Sequence, residues 1–152
     1  MNLLERWEID AKDITVSKII GHGSFGIVHL GELHGMQVAI KKIAASASSK
    51  EKEQAVRMLN REVKTLSRCR HKNIVQLIGC CSNPPMLILA YAANGTLRDL
   101  LNLDIPLLPS RTMELIHGIT NAMTMLHSQN VLHLDLKPSN VLVAADGTPW
   151  VA

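Results

Sequence analysis

His133-Leu134-Asp135-Leu136-Lys137-Pro138-Ser139-Asn140, followed at once by Val141-Leu142-Val143, sets an acid, a cation and a carboxamide ahead of a short apolar run. A polar loop of this kind between short apolar strands could supply a base, a phosphate-binding cation and a metal ligand. Upstream lies the apolar pair Val131-Leu132, and downstream Asp146-Gly147 predicts a turn into a last stub, Pro149 to Ala152. Before the loop the pattern is helical. Gly95-Thr96 opens a short helix, Leu97 to Leu101, and Ile105 to Pro109 reads as a loop. Ser110 is the expected cap of a longer helix to about His127, with Ile116, Ile119, Met123 and Leu126 along one side.

The first half of the chain alternates like a sheet. Strands are predicted at Ile14 to Ile20, Ile27 to Leu33 and Gln37 to Ile43, with a turn over Gly21 to Gly26 and a tight connection at His34-Gly35. A small-residue connector, Ala44 to Ser49, leads to a helix of roughly Lys50 to Arg68, with Val56, Leu59, Val63 and Leu66 on one face. Two further apolar runs, Ile74 to Cys80 and Met86 to Ala90, flank the bend Asn83-Pro84-Pro85. The expected class is α+β: a five-stranded antiparallel sheet with one helix, then the first part of a helical region.

Composition narrows the function classes. The chain has 152 residues, 47% hydrophobic and 19% charged, which suits one domain, or a small lobe with part of a second, and argues against disorder. No apolar run approaches the roughly 18 residues of a membrane span, and the N-terminus lacks the features of a signal peptide. A cytoplasmic protein is the default expectation. With 16 basic and 13 acidic side chains the net charge is +3, and acids interrupt the basic stretch Arg57 to Lys72, so no nucleic-acid partner is expected. The three cysteines, Cys69, Cys80 and Cys81, are odd in number and not spaced as zinc ligands; reduced thiols are the default.

Gly21-His22-Gly23-Ser24-Phe25-Gly26-Ile27-Val28 contains G-x-G-x-x-G-x-V. A dinucleotide fold would need a helix after the glycines, and strand-like Ile27 to Leu33 follows instead. The glycines would serve as a plain turn, or as a hairpin whose bare backbone lies over phosphates. In Val38-Ala39-Ile40-Lys41 the alternation puts Ala39 and Lys41 on one strand face, where a flat base and its phosphates could be met; an exposed strand lysine is the plainer reading. Glu62 lies about 80° from the centre of the apolar helix stripe at 100° per residue. It is either a surface charge or an anion placed to reach Lys41.

Taken in order, the glycine loop, V-A-I-K and H-x-D-L-K-P-x-N resemble the protein kinases, over about Ile14 to Ala152. The resemblance implies a partial kinase domain over 1–152, with an N-lobe at about 14–90, a hinge at 91–94 and the start of a C-lobe at 95–152. It implies that Gly21, Gly23 and Gly26 cover the phosphates of ATP and that Lys41 holds them and pairs with Glu62. Asp135 then accepts or orients the proton of a substrate Ser/Thr hydroxyl, and Asn140 binds Mg2+. Lys137 matches the γ-phosphate contact of Ser/Thr kinases. Val28, Ala39 and Leu142 match the adenine sandwich, Leu89 the gatekeeper and Ala90 to Asn94 the hinge, while His133 is expected to be structural. Trp7-Glu8-Ile9-Asp10 and His71 to Gly79 are similar to the tyrosine-kinase-like group of Ser/Thr kinases.

Leu134 stands where the family has an arginine that pairs with a phosphorylated activation loop, so control by a different route is expected, testable with Leu134→Arg in a complete domain. Ala90 replaces a common hinge glutamate, with little expected effect. The resemblance also places Trp150-Val151-Ala152 just before Asp-Phe-Gly, whose aspartate is the main magnesium ligand. The 152 residues alone are therefore expected to be marginally stable, with apolar side chains such as Ile116 and Met123 partly exposed, and to show no transfer above background. Two readings follow: an ATP-dependent Ser/Thr kinase represented by a fragment, or a truncated non-catalytic nucleotide-binding or interaction module.

Overall fold

The computed structural model of the chain describes residues 3–23, 26–43 and 48–152. Most of the small-residue connector (residues 44–47) and the Ser24-Phe25 tip of the glycine stretch lie outside the described residues. The chain forms two compact units. One comprises Met1–Ser67 and Gln76–Tyr91, the other Arg68–Val75 and Ala92–Ala152.

The first unit is an antiparallel sheet of β1 (Ile14–Gly23), β2 (Gly26–Leu33), β3 (Met36–Ile43), β4 (Leu77–Ser82) and β5 (Pro85–Ala90), in the order β1-β2-β3-β5-β4. The β2–β3 hairpin turns on two residues, His34 and Gly35, both at positive φ (49° and 81°). That is the twist-matched geometry favoured in two-residue loops. Helix α1 (Ser49–Arg68) starts where the Ser48 hydroxyl accepts the Glu51 N–H at 3.3 Å. Its interior contains neither glycine nor proline. Its buried face is Ala55, Leu59 and Val63, flanked by half-buried Val56 and Leu66, and it packs on Ile43, Leu77, Cys80 and Leu87. The opposite sheet face holds a second cluster, including Val38, Ile40, Ile88, Cys81 and Met86.

The apolar run from Ile74 does not form one strand. Val75 N–H donates to Val151 and Val151 N–H to Asn73, so the first residues pair with β7 (Pro149–Val151) in the second unit. Only from Leu77 does the run join the five-stranded sheet. The backbone groups of Asn73 and Val75 are satisfied by the free side of β7 instead.

The second unit contains α2 (Leu97–Leu101), α3 (Pro109–Ser128) and a hairpin of β6 (Val141–Val143) with β7. Thr96 and Asp99 form a capping box on α2. Two expectations fail on α3. Its cap is Leu108 rather than Ser110, because Pro109 at the first helical position brings a preset φ and no N–H to satisfy. Its buried face is Leu115, Gly118, Ala122 and Leu126, one residue round from the stripe of larger apolar side chains. The small residues decide this: a Cβ on Gly118 would collide with the Pro149 ring and lie 2.8 Å from Asn73 Nδ2. Ile116 is left 51% exposed. Val131-Leu132 belongs to no strand.

Candidate active site

In the first unit, strand register gathers the candidate residues. Val28 stands opposite Lys41 and Gly21 opposite Val28, while Ala39 stands opposite Leu89 and Lys41 opposite Leu87. Residues directly opposed in an antiparallel sheet share a face. Val28, Ala39 and Lys41 therefore share the face of Leu87 and Ile43, on which α1 packs. Glu62, beside the buried Val63 on α1, reaches down to it. Lys41 Nζ donates to both Glu62 oxygens, at 2.8 and 3.0 Å, with the side chains only 18% and 26% exposed. Lys42, on the other face, is exposed. A half-buried ammonium held by a two-point carboxylate is a fixed positive charge, unlike a solvated strand lysine.

The glycines divide into two kinds. A Cβ on Gly21 would meet only Val28 Cβ, at 3.9 Å, so the fold itself leaves room there. A Cβ on Gly26 would run into the Lys42 carbonyl, where β2 passes the end of β3. Backbone cannot rotate aside as a side chain can, so Gly26 is required by strand pairing. Gly23 pairs with Gly26 across the hairpin.

In the second unit, the polar loop is held by its own side chains. Asn140, at the end of the 3-10 turn Pro138–Asn140, donates through Nδ2 to the Asp135 carbonyl at 2.8 Å and to Asp135 Oδ2 at 2.9 Å. Lys137 Nζ lies 3.1 Å from the same Oδ2. The Lys137 and Asn140 donors, in that order, hold the Asp135 carboxyl below its ordinary value. His133 Nδ1 accepts the Asp135 N–H at 3.3 Å, which fixes the Nε2–H tautomer, and Nε2 donates to the Ala152 carbonyl at 2.8 Å. Leu134 has a left-handed backbone (φ 63°) and an 88% exposed side chain, so it contributes no charge or packing to the loop. Leu142 stands opposite Trp150 in the β6–β7 hairpin and bridges to Thr96.

A low carboxyl pKa has a definite pH signature. The folded loop favours ionised Asp135, so that contribution is complete above the ordinary value of 3.8 and is lost as pH falls through the lower folded value. Lys137→Met removes the largest cause. Its expected result is an upward shift of the Asp135 carboxyl toward the ordinary value, followed by carboxyl-carbon NMR titration. An unmoved titration would show that Asn140 alone sets the value.

Spacing does not single out Asn73, although it is buried. Its Nδ2 donates to the Pro149 carbonyl at 3.0 Å and its backbone carbonyl accepts the Val151 N–H at 2.8 Å, which ties it to the β6–β7 hairpin. In the sequence it is only a polar residue between the basic stretch ending at Lys72 and the apolar run that starts at Ile74. The structure thus brings Gly21, Val28, Ala39, Lys41 and Glu62 together in one unit, and Asp135, Lys137 and Asn140 together in the other.

The family profile described as "Protein kinase domain" matches residues 14–151. A serine/threonine-protein kinase/receptor of Acanthamoeba polyphaga mimivirus is 37% identical over 143 residues, covering 91% of this chain and 9% of the relative. Mitogen-activated protein kinase kinase kinase 7 of Homo sapiens is 36% identical over 147 residues, covering 93% of this chain and 23% of the relative. Lectin-domain containing receptor kinase VI.4 of Arabidopsis thaliana is 34% identical over 172 residues, covering 97% of this chain and 24% of the relative. The chain thus spans about a quarter or less of the length of these relatives.

Proposed function

Because this chain belongs to the protein kinase family, and to its Ser/Thr type, we propose that its gene product transfers the γ-phosphoryl of Mg-ATP to Ser/Thr hydroxyls of a protein substrate in signalling. The observation that carries this reading is the Lys41–Glu62 pair, a fixed half-buried cation on the sheet face that also bears Val28 and Ala39. Gly21 leaves the neighbouring surface bare enough for phosphates to approach, and Ala39 leaves room for a flat base. The motif residues Trp7 to Asp10 and His71 to Gly79 support placement in the tyrosine-kinase-like group.

The donor set suits magnesium. Asn140 spends its amide nitrogen on Asp135, which leaves the amide oxygen as the donor atom without a hydrogen-bond partner among the described residues. Among the described residues no cluster of three His, Cys, Asp or Glu could hold a metal unaided. Mg2+ is commonly held by one or two protein oxygens with substrate phosphates and water, and the loop offers that minimal contribution. When bound, the ion neutralises phosphate charge.

The rest is performed by side chains. Lys41 fixes the phosphates electrostatically, with Glu62 holding the ammonium in place. Asp135 is ionised throughout the neutral range, and a carboxylate of low pKa is a weak base. It therefore orients the attacking hydroxyl by accepting its hydrogen bond and takes the proton only as the oxygen–phosphorus bond forms. Lys137, 3.1 Å from that carboxylate, carries the positive charge of the loop.

Gly21→Ala tests the phosphate-covering role without disturbing the fold. The melting temperature should stay at the wild-type value while Mg-ATP affinity, read by calorimetric titration, weakens about tenfold, or about 1.4 kcal/mol. Unchanged affinity would remove Gly21 from the nucleotide site. Gly26→Ala should lower stability as well, and so cannot make the distinction.

A further inference from the structure

Along the sequence the basic stretch that begins at Arg57 is interrupted by an acid, Glu62. On the folded helix that acid is out of line, because Glu62 turns in to the sheet and is held by Lys41 at 2.8 and 3.0 Å. At about 100° per residue, Lys50, Gln54, Arg57, Arg61 and Lys64 fall within an arc of about 80°. The arc is centred opposite the buried Ala55, Leu59 and Val63, and Glu62 lies about 120° from its centre. All five residues are exposed, and they form a ridge over about 21 Å of α1. One ion pair touches the ridge among the described residues. Glu53, at its margin, approaches Arg57 at 3.5 Å, with the Arg57 and Glu53 side chains 74% and 72% exposed. A pair so open to solvent is weak and readily exchanged.

We infer that this ridge is an adsorption face for the surface of a bilayer rich in anionic lipids. Shape and composition select that partner. The four cations face one plane, so a flat negative surface engages them together. The ridge carries no apolar side chain, whereas a protein partner is held mainly by desolvated aromatic or apolar anchors. Nor does α1 contain an aromatic residue on which a nucleic-acid base could stack. Clusters of about four to eight Lys or Arg on a helix are drawn to the negative potential of an anionic leaflet, each charge adding its own share. Contact of this kind is peripheral. No helix among the described residues is long and apolar enough to cross a membrane, and the apolar face of α1 is spent on the sheet. With a net charge of only +3 on the whole chain, the placement of the cations matters more than their number. Because Glu62 and Lys41 lie away from the ridge, adsorption does not depend on the nucleotide-site reading.

Flotation of the chain with vesicles of phosphatidylcholine, alone or with phosphatidylserine at about 30 mol%, tests the inference. The wild-type chain should partition onto the phosphatidylserine vesicles at least about tenfold more strongly than onto phosphatidylcholine alone, and release as salt rises from about 0.1 to about 0.5 M. Arg61→Gln and Lys64→Gln should each weaken partitioning about fivefold, and the double variant about 25-fold. Gln keeps a helix propensity close to that of Arg and Lys, so the melting temperature should stay at the wild-type value. Glu53→Gln removes the one acid beside the ridge and should strengthen partitioning, by about fivefold. Lys42→Gln loses the same unit of charge on the sheet face away from α1 and should stay within about twofold of wild type.

The inference is overturned if the wild-type chain shows no preference for phosphatidylserine. It also fails if Lys42→Gln costs as much as Arg61→Gln, which would make net charge the cause, or if Glu53→Gln brings no gain. A third result against it would come from competition. If an RNA oligonucleotide at equal phosphate concentration strips the chain from the vesicles, and the ridge variants weaken RNA binding to the same degree, the face belongs to nucleic acid instead.

Discussion

Asp135→Asn lowers kcat for transfer to a protein hydroxyl by about 10²–10⁴-fold. Mg-ATP affinity should stay within about twofold of wild type, because the loss falls on the transition state rather than on nucleotide binding. The substitution keeps the size of the side chain and leaves the Asn140 bond to the backbone carbonyl of residue 135 in place. What it removes is the charge that pairs with Lys137 at 3.1 Å and the acceptor for the hydroxyl proton. The loop therefore keeps its path while losing its chemistry. Single-turnover transfer from Mg-ATP to a Ser- or Thr-containing peptide by the full-length gene product, beside calorimetric nucleotide binding, reads both quantities. Transfer within tenfold of wild type would take Asp135 out of the reaction and leave the loop with a structural role.

Much of this arrangement is legible in the residues because it is local. Alternation along Val38-Ala39-Ile40-Lys41 assigns two faces, and the observed strand puts Val38 and Ile40 in one cluster with Lys41 on the other face. The angular position of Glu62 on α1 follows from helical periodicity, and its side chain does reach Lys41. What is not legible is decided by partners far away in the chain. Hydropathy ranks Ile116 above Gly118, yet Pro149 and Asn73 demand the smaller residue, and α3 turns to present it. Ile74 and Val75 read as the start of a strand, but β7, some 75 positions later, pairs here instead, accepting the Val75 N–H and donating to the Asn73 carbonyl. The three glycines of the loop look equivalent in sequence, and only the Lys42 carbonyl distinguishes Gly26 from Gly21. Trp7 to Asp10 likewise reads as a family mark, whereas its seat on β4 depends on Gly79 and Ser82.

Lys41→Met is expected to reduce transfer by about 10²-fold through lost placement of the phosphates, with a measurable loss of Mg-ATP affinity. Stability also changes, since Glu62 is left as a carboxylate only 26% exposed with its main partner gone. Breaking a fully buried pair costs about 3–5 kcal/mol, and this pair, partly open to solvent, should lose less, on the order of 1–2 kcal/mol. Glu62→Gln separates the two effects. It keeps an oxygen able to accept from Lys41, leaves no buried anion, and should cost about tenfold in transfer, because the ammonium is held less rigidly. If Glu62 acts only through Lys41, the double variant should transfer no more slowly than Lys41→Met alone, and its melting temperature should recover, because the uncompensated carboxylate is gone. A double variant whose losses simply multiply would show two independent contributions, and Glu62 would then need a direct role that the Lys41 contact does not supply.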